Sequence, residues 1–94
     1  MFDIRDNGNG TIALIGRLDA SQIERARSAL DAVTQSAFVD FAGLDYISSA
    51  GLGLLLRTQK RLAESGNSLK LLNMSGHIRE IFKIAGFDRI FEIE

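Results

Sequence analysis

The sequence contains no cysteine and no proline, and it has a single histidine. Without cysteine there is no disulfide, no thiolate metal site and no cysteine nucleophile. One histidine is too few for a multi-histidine zinc site, so neither a metal nor another cofactor is expected. The missing proline removes cis-proline turns. No run approaches the roughly 18 apolar residues of a membrane span, so direct membrane insertion is not expected. Met1-Phe2-Asp3-Ile4-Arg5 lacks the basic start and long apolar run of a signal peptide, which gives the cytoplasm as the expected location. An excess of one charge is also lacking: 11 basic residues face 12 acidic ones, for a net charge of −1. Binding to nucleic acid, or to an anionic membrane surface through a polybasic patch, needs a basic surplus and is therefore not expected. Hydrophobic residues make up 46% of the 94, enough to exclude disorder and to supply the small core of one domain spanning 1–94.

The chain is punctuated by glycine and asparagine. Asp6-Asn7-Gly8-Asn9-Gly10 is a dense turn signal between Phe2–Arg5 and Thr11–Ile15, which predicts an antiparallel hairpin. The second run is nearly all apolar, as in a strand buried on both faces. Gly16-Arg17-Leu18-Asp19-Ala20 follows as a loop. Ser21 with Glu24 forms a capping box, and Ile23, Ala26, Leu30 and Val33 give a helical stripe that leaves Arg25, Arg27 and Asp31 to water. Ala37–Phe41 is a strand, and Gly43–Gly51 a connecting loop. A helix from Ser49 to Ser65 turns Leu52, Leu55, Leu56, Leu62 and Ala63 inward, with Gly66 at its end. Ser68–Leu72 is a strand. His77–Ala85 is a helix with Ile78, Ile81, Phe82 and Ala85 on one side, stopped by Gly86, and Ile90–Ile93 is a last strand. The order ββαβαβαβ predicts an α/β fold: a mixed, mostly parallel sheet with helices packed on it.

The segment best suited to chemistry is Asp45-Tyr46-Ile47-Ser48-Ser49-Ala50-Gly51-Leu52-Gly53. It places two hydroxyls at a helix start, just past the carboxyl end of a strand, the edge that carries sites in open α/β sheets. Unpaired N–H groups and the helix dipole favour an anion there, so a phosphorylated serine would be well accommodated. Capping alone also accounts for Ser48 or Ser49. Enzyme readings lack their parts: there is no G-x-x-x-x-G-K-[ST], no G-x-G-x-x-G and no G-x-S-x-G, and His77 is the one candidate base. A turnover assay with nucleotide would separate that class. Asp19 follows the second strand as the serine pair follows the third. The two loops face each other if those strands are neighbours, and Asp19 is otherwise an ordinary turn or capping residue. Tyr46 fits either a partner contact or the core.

Gly16-Arg17-Leu18-Asp19, Val39 to Leu52, and Ile81-Phe82-Lys83-Ile84-Ala85-Gly86-Phe87 together resemble the STAS domain family. Within it they resemble the stand-alone bacterial anti-sigma factor antagonists. The resemblance covers nearly the whole chain in order. It implies a non-enzymatic partner switch. The unphosphorylated domain binds an anti-sigma factor that is also a serine kinase, phosphorylation at the start of the second helix releases it, and a PP2C-type phosphatase resets it. The binding face it implies comprises Asp19, Tyr46, Ile47, Ser48, Ser49 and Leu52. Two features depart from the family pattern. The position usually phosphorylated, immediately before the Gly, is Ala50, and the Asp position of that pattern is Ser48. Ser49 is then the implied phosphoacceptor, with Ser48 next. A constitutive, unphosphorylated adaptor in a transporter or lipid-transport complex is the alternative. The second departure is that many relatives continue into another helix beyond the position of Glu94, so one sheet face is expected to be less covered or to be covered by a partner.

Overall fold

The computed structural model describes residues 1–94. Five strands, β1 (Phe2–Asp6), β2 (Thr11–Leu18), β3 (Ala37–Ile47), β4 (Leu69–Leu72) and β5 (Glu92–Ile93), form one sheet in the order β1-β2-β3-β4-β5. β1 and β2 are the expected antiparallel hairpin, and every later pairing is parallel. Helices α1 (Ile23–Asp31), α2 (Ser49–Ala63) and α3 (Gly76–Ile84) make the crossovers. The predicted α/β fold is therefore the observed one.

The strand order explains a difference from expectation. It always advances in one direction, so right-handed crossovers put all three helices on the same face of the sheet. β2 is consequently not buried on both sides. Ile12, Leu14 and Leu18 are buried under the helices, while Thr11, Ala13 and Ile15 on the other face are only half-buried. Val39 and Phe41 of β3 and Leu69 and Leu71 of β4 complete the buried row.

β2 and β3 also run further than expected. Gly16–Leu18 belongs to β2, and Gly43–Ile47 to β3, where a loop was expected. Pairing continues through Ile15↔Gly43, Gly16↔Leu44, Arg17↔Tyr46 and Leu18↔Ile47, interrupted by two irregularities in register. Each inserts an extra residue in β3 and breaks the two-residue alternation, which hides the strand in the sequence. β4 pairs with β3 only from Ala37 to Asp40, so from Phe41 to Ile47 β3 extends with β2 alone beside it.

Smaller corrections have local causes. The capping box at Ser21 does not form. Asp19 accepts from the Ser21 N–H instead and starts a 3-10 turn, Ala20–Gln22, ahead of α1. Arg25 is exposed as expected, but it also donates to Phe2 O and to Asp3, tying α1 to the edge strand β1. On α2 the buried residues are Gly51, Leu54, Leu55, Thr58 and Leu62. Ala63 lies at the exposed end of α2, Leu56 is only half-buried, and Ala85 is exposed just past α3. The last strand begins at Glu92 rather than Ile90, because Phe87 and Phe91 pack edge-on or tilted against Phe82 and each other and draw the chain into a turn.

Candidate functional site

The carboxyl ends of β2 and β3 finish level with each other. Leu18 pairs with Ile47, and the Ser48 N–H donates to Leu18 O at 2.9 Å. The residues that follow, Asp19 and Ser48, are thus brought side by side at one end of the sheet. Ser48 is the N-cap of α2: its extended backbone and side-chain oxygen, accepting from the Gly51 N–H at 3.1 Å, satisfy one of the helix's orphan donors. Ser49 is the first helical residue and is exposed, whereas Ser48 is half-buried. The first turn of α2 contains no acidic side chain, so the positive end of the helix dipole is uncompensated there. Leu52, in the same turn, is partly buried against the core.

Ile47 differs from expectation. The resemblance implied a partner-facing residue, but its side chain is only 3% exposed and lies under the helix start. The extra residue in β3 before it returns Ile47 to the helix-covered face. It supports the loop from beneath and offers no side-chain surface to a partner. Tyr46 points the other way, half-buried on the uncovered face, with the Arg17 guanidinium 4.3 Å above its ring. The sequence reading did not single out Arg17. The signal was available: Arg17 and Tyr46 each stand two residues before Asp19 and Ser48, which makes them neighbours once the two strands pair in register.

Gly51 was also missed as a structural requirement. A Cβ on Gly51 would lie 2.9 Å from Ile47 Cγ1 and 3.0 Å from Leu18 Cγ, both belonging to buried side chains. The glycine lets α2 approach the ends of β2 and β3 closely. Gly53, two residues on, has nothing within 4 Å of its would-be Cβ. Gly53→Ala is expected to stabilise the protein by about 0.5–1 kcal/mol through helix propensity. For Gly51→Ala, a crowding cost of about 1–3 kcal/mol exceeds the same gain and the sign reverses. Paired urea denaturation curves check this, and equal shifts in the same direction would contradict the close approach.

Asp19 is held by its neighbour. Its Oδ1 accepts from Ser21 Oγ at 2.6 Å and from the Ser21 N–H at 3.0 Å. The Ser21 hydroxyl foremost, helped by the Ser21 backbone N–H and the nearby Arg17 charge, holds the Asp19 carboxyl below the ordinary carboxylate range, with desolvation as the chief opposing effect. A depressed carboxyl contributes stability above the unfolded-state pKa of about 4, and that contribution is lost as pH falls through the lower folded-state value. Ser21→Ala is expected to raise the Asp19 pKa toward the ordinary value, followed by carboxyl-carbon NMR. An unmoved titration would remove Ser21 as the cause.

No cluster of three or more His, Asp or Glu side chains is placed to hold a metal ion, and no helix is long and apolar enough to cross a membrane.

Comparison with known proteins agrees with this geometry. Residues 2–92 match the family model described as "Mlab, STAS domain". The BtrV protein of Bordetella bronchiseptica, assigned as an anti-sigma factor antagonist, is 36% identical over 81 residues, covering 85% of this chain and 70% of its own length. The anti-sigma-B factor antagonist of Bacillus subtilis is 27% identical, covering 97% of this chain and 87% of its own. Among solved structures, the anti-sigma factor antagonist SpoIIAA in its unphosphorylated form superposes with a TM-score of 0.77 at 24% identity. That match covers 100% of this chain and 88% of SpoIIAA. A five-stranded sheet with helices on one face, matched in sequence from Phe2 to Glu92, makes this chain a member of the STAS domain family, a family of binding domains rather than enzymes.

Proposed function

We propose that residues 1–94 act in the cytoplasm as one STAS domain, an anti-sigma factor antagonist controlled by phosphorylation. In this reading the unphosphorylated domain binds an anti-sigma factor that is also a serine kinase. Phosphate added to Ser49 ends the complex, and a PP2C-type phosphatase removes it. The observation that carries the reading is the division of labour between the two serines. Ser48 is occupied as the N-cap, while Ser49 stands exposed as the first helical residue. The names of the relatives support the partner class. Asp19, Tyr46, Leu52 and the serine pair form the contact face in this reading, with Ile47 supporting it from within.

Ala50 supports a second reading, a constitutive adaptor in a transporter or lipid-transport complex, because it occupies the position that the family pattern gives to the phosphoacceptor. Co-purification of the tagged protein from its native cell, with mass spectrometry of partner and phosphosite, decides between them. An anti-sigma factor held by the unphosphorylated fraction, with phosphate on Ser49 in the fraction free of partner, is the expected result. A transporter component with no phosphate on either serine would replace the switch by the adaptor.

A further inference from the structure

Arg17 is the cationic side chain on the uncovered face at the switch end of the sheet, where the Met1 ammonium also lies near Asp19, and three features fix it. Its backbone N–H donates to Met1 O at 2.8 Å, and its strand position is opposite Tyr46. Its guanidinium lies over the Tyr46 ring. Other cations of this face and its rim are neutralised within the chain: Arg5 and Arg25 meet Asp3, and Lys70 meets Glu92 and Glu94. Arg17 forms no salt bridge, although its side chain is exposed. The nearest acid along the strand, Asp19, directs its carboxylate to Ser21.

We propose that the Arg17–Tyr46 pair is a receptor for a carboxylate side chain of the protein partner, so that the contact face extends from the start of α2 onto the uncovered face of the sheet. The proposal rests on the partner-binding reading above and adds the chemistry of the partner's side. A guanidinium stacked on an aromatic ring has already lost much of its rotamer freedom, so less is lost when it binds. Its outer edge keeps planar N–H donors that match a carboxylate in two parallel hydrogen bonds. Arginine and tyrosine are also the residue types most often found to dominate interface energetics. The complex forms while Ser49 carries no phosphate, so the anion we assign to Arg17 is an Asp or Glu side chain of the anti-sigma factor.

The test uses the full chain and the anti-sigma factor that co-purifies with it, with affinity measured by calorimetry. Arg17→Ala is expected to weaken binding about tenfold, and Arg17→Glu about thirtyfold, with wild-type affinity falling as salt is raised. Arg17→Lys should recover only part of the loss, because lysine lacks the planar fork. Tyr46→Leu should weaken binding severalfold by releasing the guanidinium. Thermal melts of all four variants should stay near wild type, since the side chains stand outside the core. Reversing one partner carboxylate to lysine should restore binding to Arg17→Glu. If Arg17→Glu binds within twofold of wild type while Leu52→Arg abolishes the complex, the partner reading stands and this inference falls. Loss with Arg17→Glu that no partner carboxylate reversal restores also overturns it. If the wild-type protein forms no complex with an anti-sigma factor, both fall together.

Discussion

Gly16→Ala is expected to destabilise the protein by about 2–5 kcal/mol, the sum of a left-handed backbone cost of about 1–2 and an overpacking cost of about 1–3. Gly16 has φ +89 inside a strand, a conformation that side-chain-bearing residues rarely adopt. A Cβ there would be driven into the Met1 carbonyl oxygen, with Met1 C at 3.0 Å and Phe2 Cα at 3.3 Å. These are backbone atoms of the paired strand and cannot swing aside. The same Met1 oxygen accepts the Arg17 N–H, so relief of the clash breaks a hydrogen bond beside the contact face. For a domain with a total stability of about 5–15 kcal/mol, this is a large fraction, and the melting temperature should fall by at least about 10 °C. Gly10→Ala is the control. Gly10 also has positive φ, +83, but nothing lies within 4 Å of its would-be Cβ, so only the backbone cost of about 1–2 kcal/mol remains. Equal losses in the two variants would show that the approach of Met1 to Gly16 carries no energy.

Ser49→Asp is expected to weaken binding to the anti-sigma factor at least a hundredfold, about 2.7 kcal/mol, with little change in melting temperature. The two effects separate because the first turn of a helix favours negative charge, by about 0.3–1 kcal/mol, while a packed interface must desolvate it. Ser49→Ala should bind as wild type and resist the kinase. If the kinase labels Ser49→Ala as fully as wild type, the acceptor is elsewhere and Ser48 is the next residue to replace. If it labels neither protein, the phosphorylation switch is ruled out in favour of the adaptor. A fall in melting temperature comparable to that of Gly16→Ala would instead mean that Ser49 is structural.

The sequence made the helical stripes legible because three-to-four spacing survives on a one-sided helix. Ile23, Ala26 and Leu30, and later Ile78 and Phe82, were placed correctly by periodicity alone. The hairpin was legible from Asn7-Gly8-Asn9-Gly10, whose residues suit few other structures. The outer half of β3 was not legible. Its two extra residues break the alternation on which strand reading depends, and Gly43 and Ser48 look like loop composition. The same register shift turns Ile47 to the covered side, which the family resemblance, carrying residues over by position alone, does not show. Arg17 was obscured for the same reason, since its neighbour across the sheet is set by register, which local spacing does not give. Asp19 is legible as a capping residue, but the Ser21–Glu24 spacing points to a capping box that Asp19 replaces by accepting from the Ser21 N–H.

The strictly sequential strand order also bears on how the chain reaches this structure. Each strand pairs with the one before it in the chain, separated by a tight turn or a single helix, so no pairing waits for a distant segment to arrive. Loop closure is therefore entropically modest at every step, and low contact order predicts folding toward the fast end for mixed α/β domains of this size. The most demanding closure is the longest, β3 to β4 across α2. Refolding from urea should accordingly slow most for substitutions that destabilise α2, Gly51→Ala among them, if that crossover forms in the rate-limiting step.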